Sequence, residues 1–490
     1  MKRRSLSIFK TCAKWLIAVV GIYIIAQFIT IRDQVMVVSD GPAYTVEQAA
    51  IIEARDAAGN VHNPVETDQT FVVQIASTGE KRTVARDQLV NSPDRKTVDV
   101  MHEGKPAAAV LRGMVIEGNL RDNPVARRLL ITDPASQNGK WITPDQVVGD
   151  FKLVAPRPII QRGLASLVRE ANPWLLLAAV LIFPGCFFLT TLRWHLLLKA
   201  IDIHLPIRRT FALNMVGSFY NSFMPGSTGG DIIKAYYASK QTPHKTRAVV
   251  SVFVDRVLGL IALVLIGGTM AMIQYVASDN PLSPTAQACK HVATACAVIL
   301  AAFVVGSIFM LSDRVRRATG LDFVLSRLPM QKLISNVQHV GQMYKRRPML
   351  ILLVLLITAP VHLTVIFSAM LAGHAFGLPL SQQFYFVAVP VIKLVSAIPI
   401  SPQGAGVMET FALLLTSKQG ATASQALALA MSIRVVELIW SLFGGIFVLR
   451  GGFSSPPQSA VDEIGDDGTL HEQSGPLASD VTGSPVVVNS

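Results

Sequence analysis

Apolar residues gather along the chain in blocks about as long as a membrane is thick. Six blocks carry few charged residues: Trp15 to Ile31, Trp174 to Leu198, Val249 to Val276, Val292 to Leu311, Met349 to Phe376 and Ala426 to Leu449. Since about 20 apolar residues in a helix cross the hydrocarbon core, each block predicts a transmembrane helix. Two further apolar stretches, 211–240 and 384–415, are interrupted by Pro and Gly. The pattern predicts an all-α polytopic membrane bundle.

Basic residues predict how these helices are oriented. Lys and Arg precede the first block and fill the loops 199–209 and 312–348, whereas the loops 277–290 and 377–382 hold a single basic residue, Lys290. The positive-inside rule then places both termini in the cytoplasm and residues 32–173 on the opposite side. Residues 1–31 are interpreted as a retained signal anchor. This orientation is consistent only if each interrupted stretch enters the membrane and leaves it on the same side, as a re-entrant hairpin does.

The two halves of the helical region then match with opposite orientation. Each half contains a span, a hairpin and a span, at 174–276 and at 349–449. Asp231 precedes Arg256 by the same number of residues as Glu409 precedes Arg434. The pattern predicts an inverted repeat around the two hairpins.

The segments outside the bundle differ in composition from it. Residues 32–173 alternate short apolar runs with turn signals, which predicts a mostly β extracytoplasmic domain. A strand-turn-strand pattern occurs in it twice, with Asp87 and Asp145 in equivalent places, and predicts two small related hairpin or barrel-like units. Residues 451–490 are acidic and rich in Ser, Gly and Pro, which predicts a disordered cytoplasmic tail.

Composition agrees with a membrane protein and excludes several classes. The chain is 51% hydrophobic and 16% charged, with a net charge of +12. The Lys and Arg residues lie at span ends, so the positive charge indicates membrane topology and no nucleic-acid partner. Four cysteines form no C-x-x-C pair, and neither a metal site nor another cofactor is predicted. No G-x-x-x-x-G-K-[ST] phosphate loop is present, so transport would be driven by an ion gradient or by a lipid gradient.

Charged residues within the predicted spans are the first candidate site, because an ionisable group at bilayer depth needs a partner or water. Arg193 lies near the cytoplasmic end of its span, where it either snorkels to the interface or faces a cavity. Asp255 and Arg256 are adjacent and point in different directions on a helix, so each is expected to have a partner of its own, in a structural ion pair or in the substrate.

Two further positions lie in the second half. Arg434 and Glu437 share a helical face and could pair with each other. Lys393 has no acidic residue near it in the sequence, so we expect it to face a cavity.

The tips of the hairpins are the second candidate site. The first tip contains Asn221, Pro225, Gly226, Gly229 and Gly230 before Asp231, and the second contains Gly404 and Gly406 before Glu409. Glycines let backbone N–H groups approach a ligand, and a helix that starts just after them directs its positive end at an anion. Either these tips bind a phosphate headgroup, or the Gly and Pro residues only permit close packing of broken helices.

Several of these motifs carry a family resemblance. The segments LRWHLLL, NSFMPGSTGGDIIKAYY, AVVSVFVDRVLGL and ISPQGAGVMETF resemble the flippase-like family that includes the membrane region of lysylphosphatidylglycerol synthases, in the family's order across residues 174–449. The resemblance implies a lipid substrate. The residues of this chain that match the family's motifs are Asn221, Pro225, Gly226, Gly229, Gly230, Asp231, Asp255, Arg256, Gly404, Gly406 and Glu409. Synthases of that family carry a large aminoacyl transferase domain after the membrane region, whereas residues 451–490 are all that follows here, so this chain is not expected to make lysyl-lipid.

Three hypotheses for the function follow. The first is a flippase of a bacterial inner membrane that moves an anionic, lysyl or polyprenyl-linked lipid between leaflets, with Arg193, Arg256, Lys393 and Arg434 among its binding residues. The second is an accessory subunit for a lipid-linked glycosyltransferase, whose residues 32–173 contact an envelope protein. The third, an intramembrane enzyme, is disfavoured because TGGD lacks the first Gly of G-x-G-D and GSTG lacks the serine spacing of G-x-S-G.

Overall fold

The computed structural model describes residues 31–451 apart from several gaps. The gaps are 39–43, 45, 57–60, 63, 65–67, 92–96, 103–104, 118–124, 134–137, 149–158, 224–228, 313, 316–330 and 399–403. The predicted anchor at 1–31 (except Ile31), the predicted tail after 451, and Pro225 and Gly226 of the first tip lie outside the described residues. The described chain is mostly helical, with a β-rich region before the helices.

The first part of the β-rich region is one antiparallel sheet. Its strands are β1 (Gln34–Val38), β2 (Val46–Arg55), β3 (Val61–His62), β4 (Thr70–Ile75), β5 (Lys81–Ala85) and β6 (Leu89–Val90). They are ordered β5-β4-β2-β1-β6, with β3 paired to β2. Alternate residues such as Phe71, Val73 and Ile75 are buried on one face, as the period of a strand requires. These side chains form the core of the first unit.

The second part repeats this arrangement. Its strands β7 (Thr97–His102), β8 (Lys105–Glu117), β9 (Val125–Thr132) and β10 (Gly139–Ile142) form a sheet ordered β10-β9-β8-β7. A single 3₁₀ turn follows β5 and β10 alike, with Asp87 and Asp145 at the same position in the two turns. After each turn the chain returns to the first strand of its own unit, where Leu89 pairs with Val37 and Val147 with Val100. The two units therefore share one topology.

Twelve α-helices are described after the strands. They are α1 (Leu164–Glu170), α2 (Pro173–Ile182), α3 (Pro184–Ala200), α4 (Ile207–Phe223), α5 (Gly229–Ser239), α6 (Lys245–Val276), α7 (Pro284–Leu311), α8 (Gln331–Lys345), α9 (Pro348–Ala375), α10 (Gln382–Ser396), α11 (Val407–Thr416) and α12 (Ala423–Gly451).

Among the residues that the structure describes, five helical segments are long and apolar enough to cross a membrane. They are Pro173–Ala200, Lys245–Val276, Thr285–Phe309, Pro348–Ala375 and Ala423–Arg450, and each overlaps a predicted span. The first divides at Phe183 into α2 and α3, because Pro184 has no N–H to continue the hydrogen-bond ladder. Helix α7 begins earlier than its apolar block, at the point where the Ser283 hydroxyl accepts from the amide of Ala286.

Each interrupted stretch contains two helices that pack against each other. Helices α4 and α5 lie on either side of residues 224–228, and α10 and α11 lie on either side of residues 397–406. The halves also interlock, because α6 packs against α10 and α12 packs against α4. These reciprocal contacts surround the site described below.

The contact between α4 and α5 predicts one large effect of a small substitution. A Cβ atom added to Gly230 would lie 1.8 Å from the Gly217 carbonyl oxygen and 2.7 Å from the Asn221 amide nitrogen. Because both are backbone atoms, Gly230→Ala must separate the helices, and we expect it to lower the free energy of unfolding by about 1–3 kcal/mol or more. Thermal unfolding of the purified protein in detergent would measure the loss.

Gly306→Ala is the matched control for this substitution. No atom lies within 4 Å of a Cβ added there, on the exposed face of α7. We expect Gly306→Ala to leave stability unchanged or to raise it, because Ala favours a helix over Gly by about 1 kcal/mol. Equal stability of the two variants would contradict the close packing of α4 on α5.

Candidate functional site

A polar cavity lies among the helices that the two halves contribute. Its volume is about 380 Å³, and its wall is built from α3, α4, α5, α6, α9, α10 and α12. This volume falls within the range of about 300–1,000 Å³ that is typical of small-molecule sites. Of the described residues, seven with charged side chains line it: Arg193, Asp231, Lys234, Asp255, Arg256, Lys393 and Glu437. Another part of the wall is apolar, with Phe183, Phe187, Leu260, Leu263 and Val361.

A buried network on α3, α4, α5 and α6 forms one wall. Arg193 Nε donates to Asp255 Oδ1 at 2.7 Å, and Lys234 Nζ lies 3.5 Å from Asp255 Oδ2. Lys234 also donates to Asn214 Oδ1 at 3.0 Å, and its Nζ lies 3.9 Å from the centre of the Trp194 ring. Arg193 is thus buried in a shared ion pair, and the snorkelling alternative is wrong because its guanidinium has a carboxylate partner inside the bundle.

Arg256 joins α5 to the end of α10 at the cavity. Its Nη1 forms an ion pair with Asp231, which lies in the first turn of α5. Its Nη2 donates to the carbonyl oxygen of Ala397 at 3.2 Å, at the end of α10. As expected from their adjacent positions, Asp255 and Arg256 have separate partners. Asn221 also lines the cavity, and its Oδ1 accepts from the Gly230 amide at 2.8 Å.

Lys393 finds its partner on another helix. Its Nζ forms an ion pair with Glu437 of α12, and both residues line the cavity. The prediction that Arg434 pairs with Glu437 is wrong, because the partner of Arg434 is Glu409, with Nη2 2.6 Å from Oε1. Helix α12 packs against α11. Arg434 and Glu437 contact different neighbours, on α11 and α10, despite their shared helical face.

The Glu409–Arg434 pair lies apart from the cavity. Neither residue is among the described residues of the cavity wall. Glu409 Oε2 accepts from the Gly406 amide at 2.8 Å, which fixes the start of α11. Gly404 and Gly406 have φ values of 67° and 82°, a left-handed backbone that favours glycine. In this structure both glycines shape the turn before α11.

The structure therefore brings together part of the predicted site. Arg193, Asn221, Asp231, Asp255, Arg256 and Lys393 line the cavity. Gly229 and Gly230 begin α5 beside it, whereas Gly404, Gly406, Glu409 and Arg434 lie elsewhere.

Sequence reasoning missed Lys234, Asn214 and His362, which also line the cavity. Lys234 follows Asp231 by three residues in an otherwise apolar helix, and that spacing was the available signal.

Apolar helices of membrane length around a charged cavity define an integral membrane protein. Residues 159–445 match the family described as lysylphosphatidylglycerol synthase TM region. The chain belongs to this family, as its motifs predicted. It is also similar to a UPF0104 membrane protein from Methanothermobacter thermautotrophicus, with 23% identity over 332 residues that cover 65% of this chain and 97% of the relative.

Proposed function

We propose that the protein transports a lipid between the leaflets of a bacterial inner membrane, with the headgroup passing through the cavity. The single observation that carries this proposal is the composition of the cavity wall, which is charged on one part and apolar on another. A charged headgroup and an acyl chain need these two environments at once. Ionisable residues within a membrane bundle are costly unless they face a partner or an aqueous path, which favours a transport role.

An inverted repeat would supply the mechanism. Asp231 and Glu409 each lie in the first turn of a helix that follows a Gly- and Pro-rich segment, and each pairs with an arginine 25 residues later on a long helix. The reciprocal packing of α6 on α10 and of α12 on α4 supports the same symmetry. We propose that α4–α5 and α10–α11 are re-entrant hairpins, and that the two repeats move against each other to open the cavity to either leaflet.

The proposed orientation keeps the basic loops in the cytoplasm. The loops 199–209 and 312–348 then face the cytoplasm, together with both termini, and the β-rich region lies on the opposite side. The two related β units would receive the lipid or contact an envelope protein. In this proposal the chain is a transporter and carries out no covalent chemistry on its substrate.

Filling the cavity tests the proposal. Leu260 on α6 lines the cavity, so Leu260→Trp should occupy the space that a headgroup needs. We expect leaflet exchange of labelled phospholipids in liposomes to fall at least about tenfold, the effect of about 1.4 kcal/mol. Exchange would be measured by chemical quenching of the outer-leaflet label, with anionic, zwitterionic and lysyl phospholipids compared.

Leu265→Trp serves as the matched control, because Leu265 lies on the same helix and 40% of it is exposed on the outer surface of the bundle. This variant should exchange lipids as the wild type does. A wild-type protein that is folded but exchanges none of these lipids would contradict the transport proposal and favour the accessory role. Equal activity of the two Trp variants would place the transport path outside the cavity.

A further inference from the structure

One part of the cavity wall holds more positive than negative charge. The side chains of Arg193, Lys234 and Asp255 are only 7%, 5% and 10% exposed, and the single carboxylate is shared by both cations. The Asn214 oxygen and the face of the Trp194 ring both contact the Lys234 ammonium group, and both contacts favour a cation. The cluster therefore has one positive charge in excess.

The other charged residues of the cavity do not remove this excess. Arg256 pairs with Asp231, and Lys393 pairs with Glu437, so each pair is neutral as a whole. His362 Nε2 lies 3.0 Å from the carbonyl oxygen of Gly259. Because a carbonyl only accepts, His362 donates this hydrogen bond and contributes no negative charge. A buried cation without a matching anion is unfavourable, so the wall is suited to an anionic ligand.

The guanidinium of Arg193 has donors available for that ligand. Only its Nε is used within the described part of the chain, in the hydrogen bond to Asp255, and the residue lines the cavity. The nearest atom to a Cβ added at Gly259 would be Arg193 Nη1, at 3.3 Å, so a side chain there would crowd the terminal nitrogens. Two terminal nitrogens of one guanidinium match two oxygens of a phosphate or carboxylate group.

We propose that Arg193 and Lys234 form a subsite for a monoanionic oxyanion, and that its ligand is the phosphodiester of a lipid headgroup. This inference rests on the proposed function and specifies its substrate class. A phosphodiester carries one negative charge, which balances the excess of the cluster. A phosphomonoester or a diphosphate carries more, and its additional charge would lie unbalanced near Asp231 and Glu437.

Binding of chain-matched lipids to the purified full-length protein tests the subsite. Native mass spectrometry would compare phosphatidylglycerol with phosphatidic acid and with diacylglycerol, which lacks phosphate. We expect the wild type to prefer phosphatidylglycerol over both. Lys234→Met removes the excess positive charge. It should reduce the preference for phosphatidylglycerol over diacylglycerol at least about tenfold. Lys240→Met is the matched control, since Lys240 is exposed and also lies over a ring, with Nζ 4.5 Å from the centre of Tyr236.

Arg193→Lys tests the subsite independently, in case Lys234→Met does not fold. Arg193→Lys retains the charge but removes the pair of terminal nitrogens, so we expect about tenfold weaker binding of phosphatidylglycerol. Unchanged lipid preference in both variants would overturn the subsite. Equal wild-type affinity for phosphatidylglycerol and phosphatidic acid would overturn its preference for a monoanion.

Inorganic phosphate distinguishes a lipid from a free anion as the ligand. A ligand that binds only the folded state raises the midpoint of thermal unfolding. Stabilisation by phosphate alone, lost in Lys234→Met and without any lipid binding, would overturn the lipid assignment. Leaflet exchange that continues unchanged in Lys234→Met would overturn the subsite but leave the proposed function standing. Charge-dependent binding of phosphatidylglycerol without exchange would support the subsite and contradict the proposed function.

Discussion

Asp255→Asn is expected to lower the free energy of unfolding by about 3–5 kcal/mol, because it removes the carboxylate that two buried cations share. Arg193 and Lys234 both contact this carboxylate, from α3 and α5, which each pack against α6. An asparagine can accept one hydrogen bond but cannot balance either charge. The network therefore joins α3, α5 and α6, and its loss should loosen all three.

Denaturant titration of the protein in mixed micelles would measure this change. Asp279→Asn is the control, because Asp279 is exposed in the loop between α6 and α7, and surface charges contribute only about 0–1 kcal/mol. Adding Lys234→Met to Asp255→Asn should recover part of the loss, since one fewer cation is then unbalanced. A loss below about 1 kcal/mol for Asp255→Asn would contradict the shared ion pair.

The membrane helices could be predicted from sequence because hydrocarbon imposes a minimum length on any helix that crosses it. Five apolar helices overlap five of the six predicted spans, and the sixth, 15–31, lies outside the described residues apart from Ile31. The bounds were less accurate, as the division at Phe183 and the early start of α7 show. Both depend on local features, a proline and a serine cap, that a measure of apolar length does not register.

Ion-pair partners were predictable only where a pattern beyond local spacing existed. The shared acid-to-arginine spacing indicated that Asp231 with Arg256 and Glu409 with Arg434 are related, and both pairs form. Lys393 and Glu437 are 44 residues apart, on α10 and α12, and no sequence pattern connects them. Lys234 was missed for a related reason, since its partner Asp255 lies on α6, and only the packing of α5 on α6 brings the two together.

The two related ion pairs differ in their access to the cavity. The side chains of Arg256 and Asp231 are 25% and 26% exposed, and both line the cavity. Those of Arg434 and Glu409 are 17% and 7% exposed, and the Gly406 amide also donates to Glu409. The first pair is therefore open to a headgroup, whereas the second is enclosed by protein in this conformation. Equivalent substitutions should consequently have different effects.

Arg256→Gln is expected to reduce leaflet exchange at least about thirtyfold, since loss of one partner of a partly buried pair costs about 2 kcal/mol or more in recognition. It should lower the free energy of unfolding by no more than about 1 kcal/mol, because the cavity solvates Asp231. Arg434→Gln should instead lower the free energy of unfolding by about 3–5 kcal/mol, because Glu409 is left charged within the protein.

Exchange in liposomes and unfolding in mixed micelles, measured on both variants, separate the two roles. Arg256→Lys is the conservative comparison: it retains the charge near Asp231 but has no second nitrogen for the Ala397 carbonyl, so partial recovery of exchange is expected. Equal losses of stability in Arg256→Gln and Arg434→Gln, with exchange intact in both, would show that the two pairs are structural alone. Loss of exchange in Arg256→Gln at nearly wild-type stability would instead establish that the link between α5 and α10 takes part in transport.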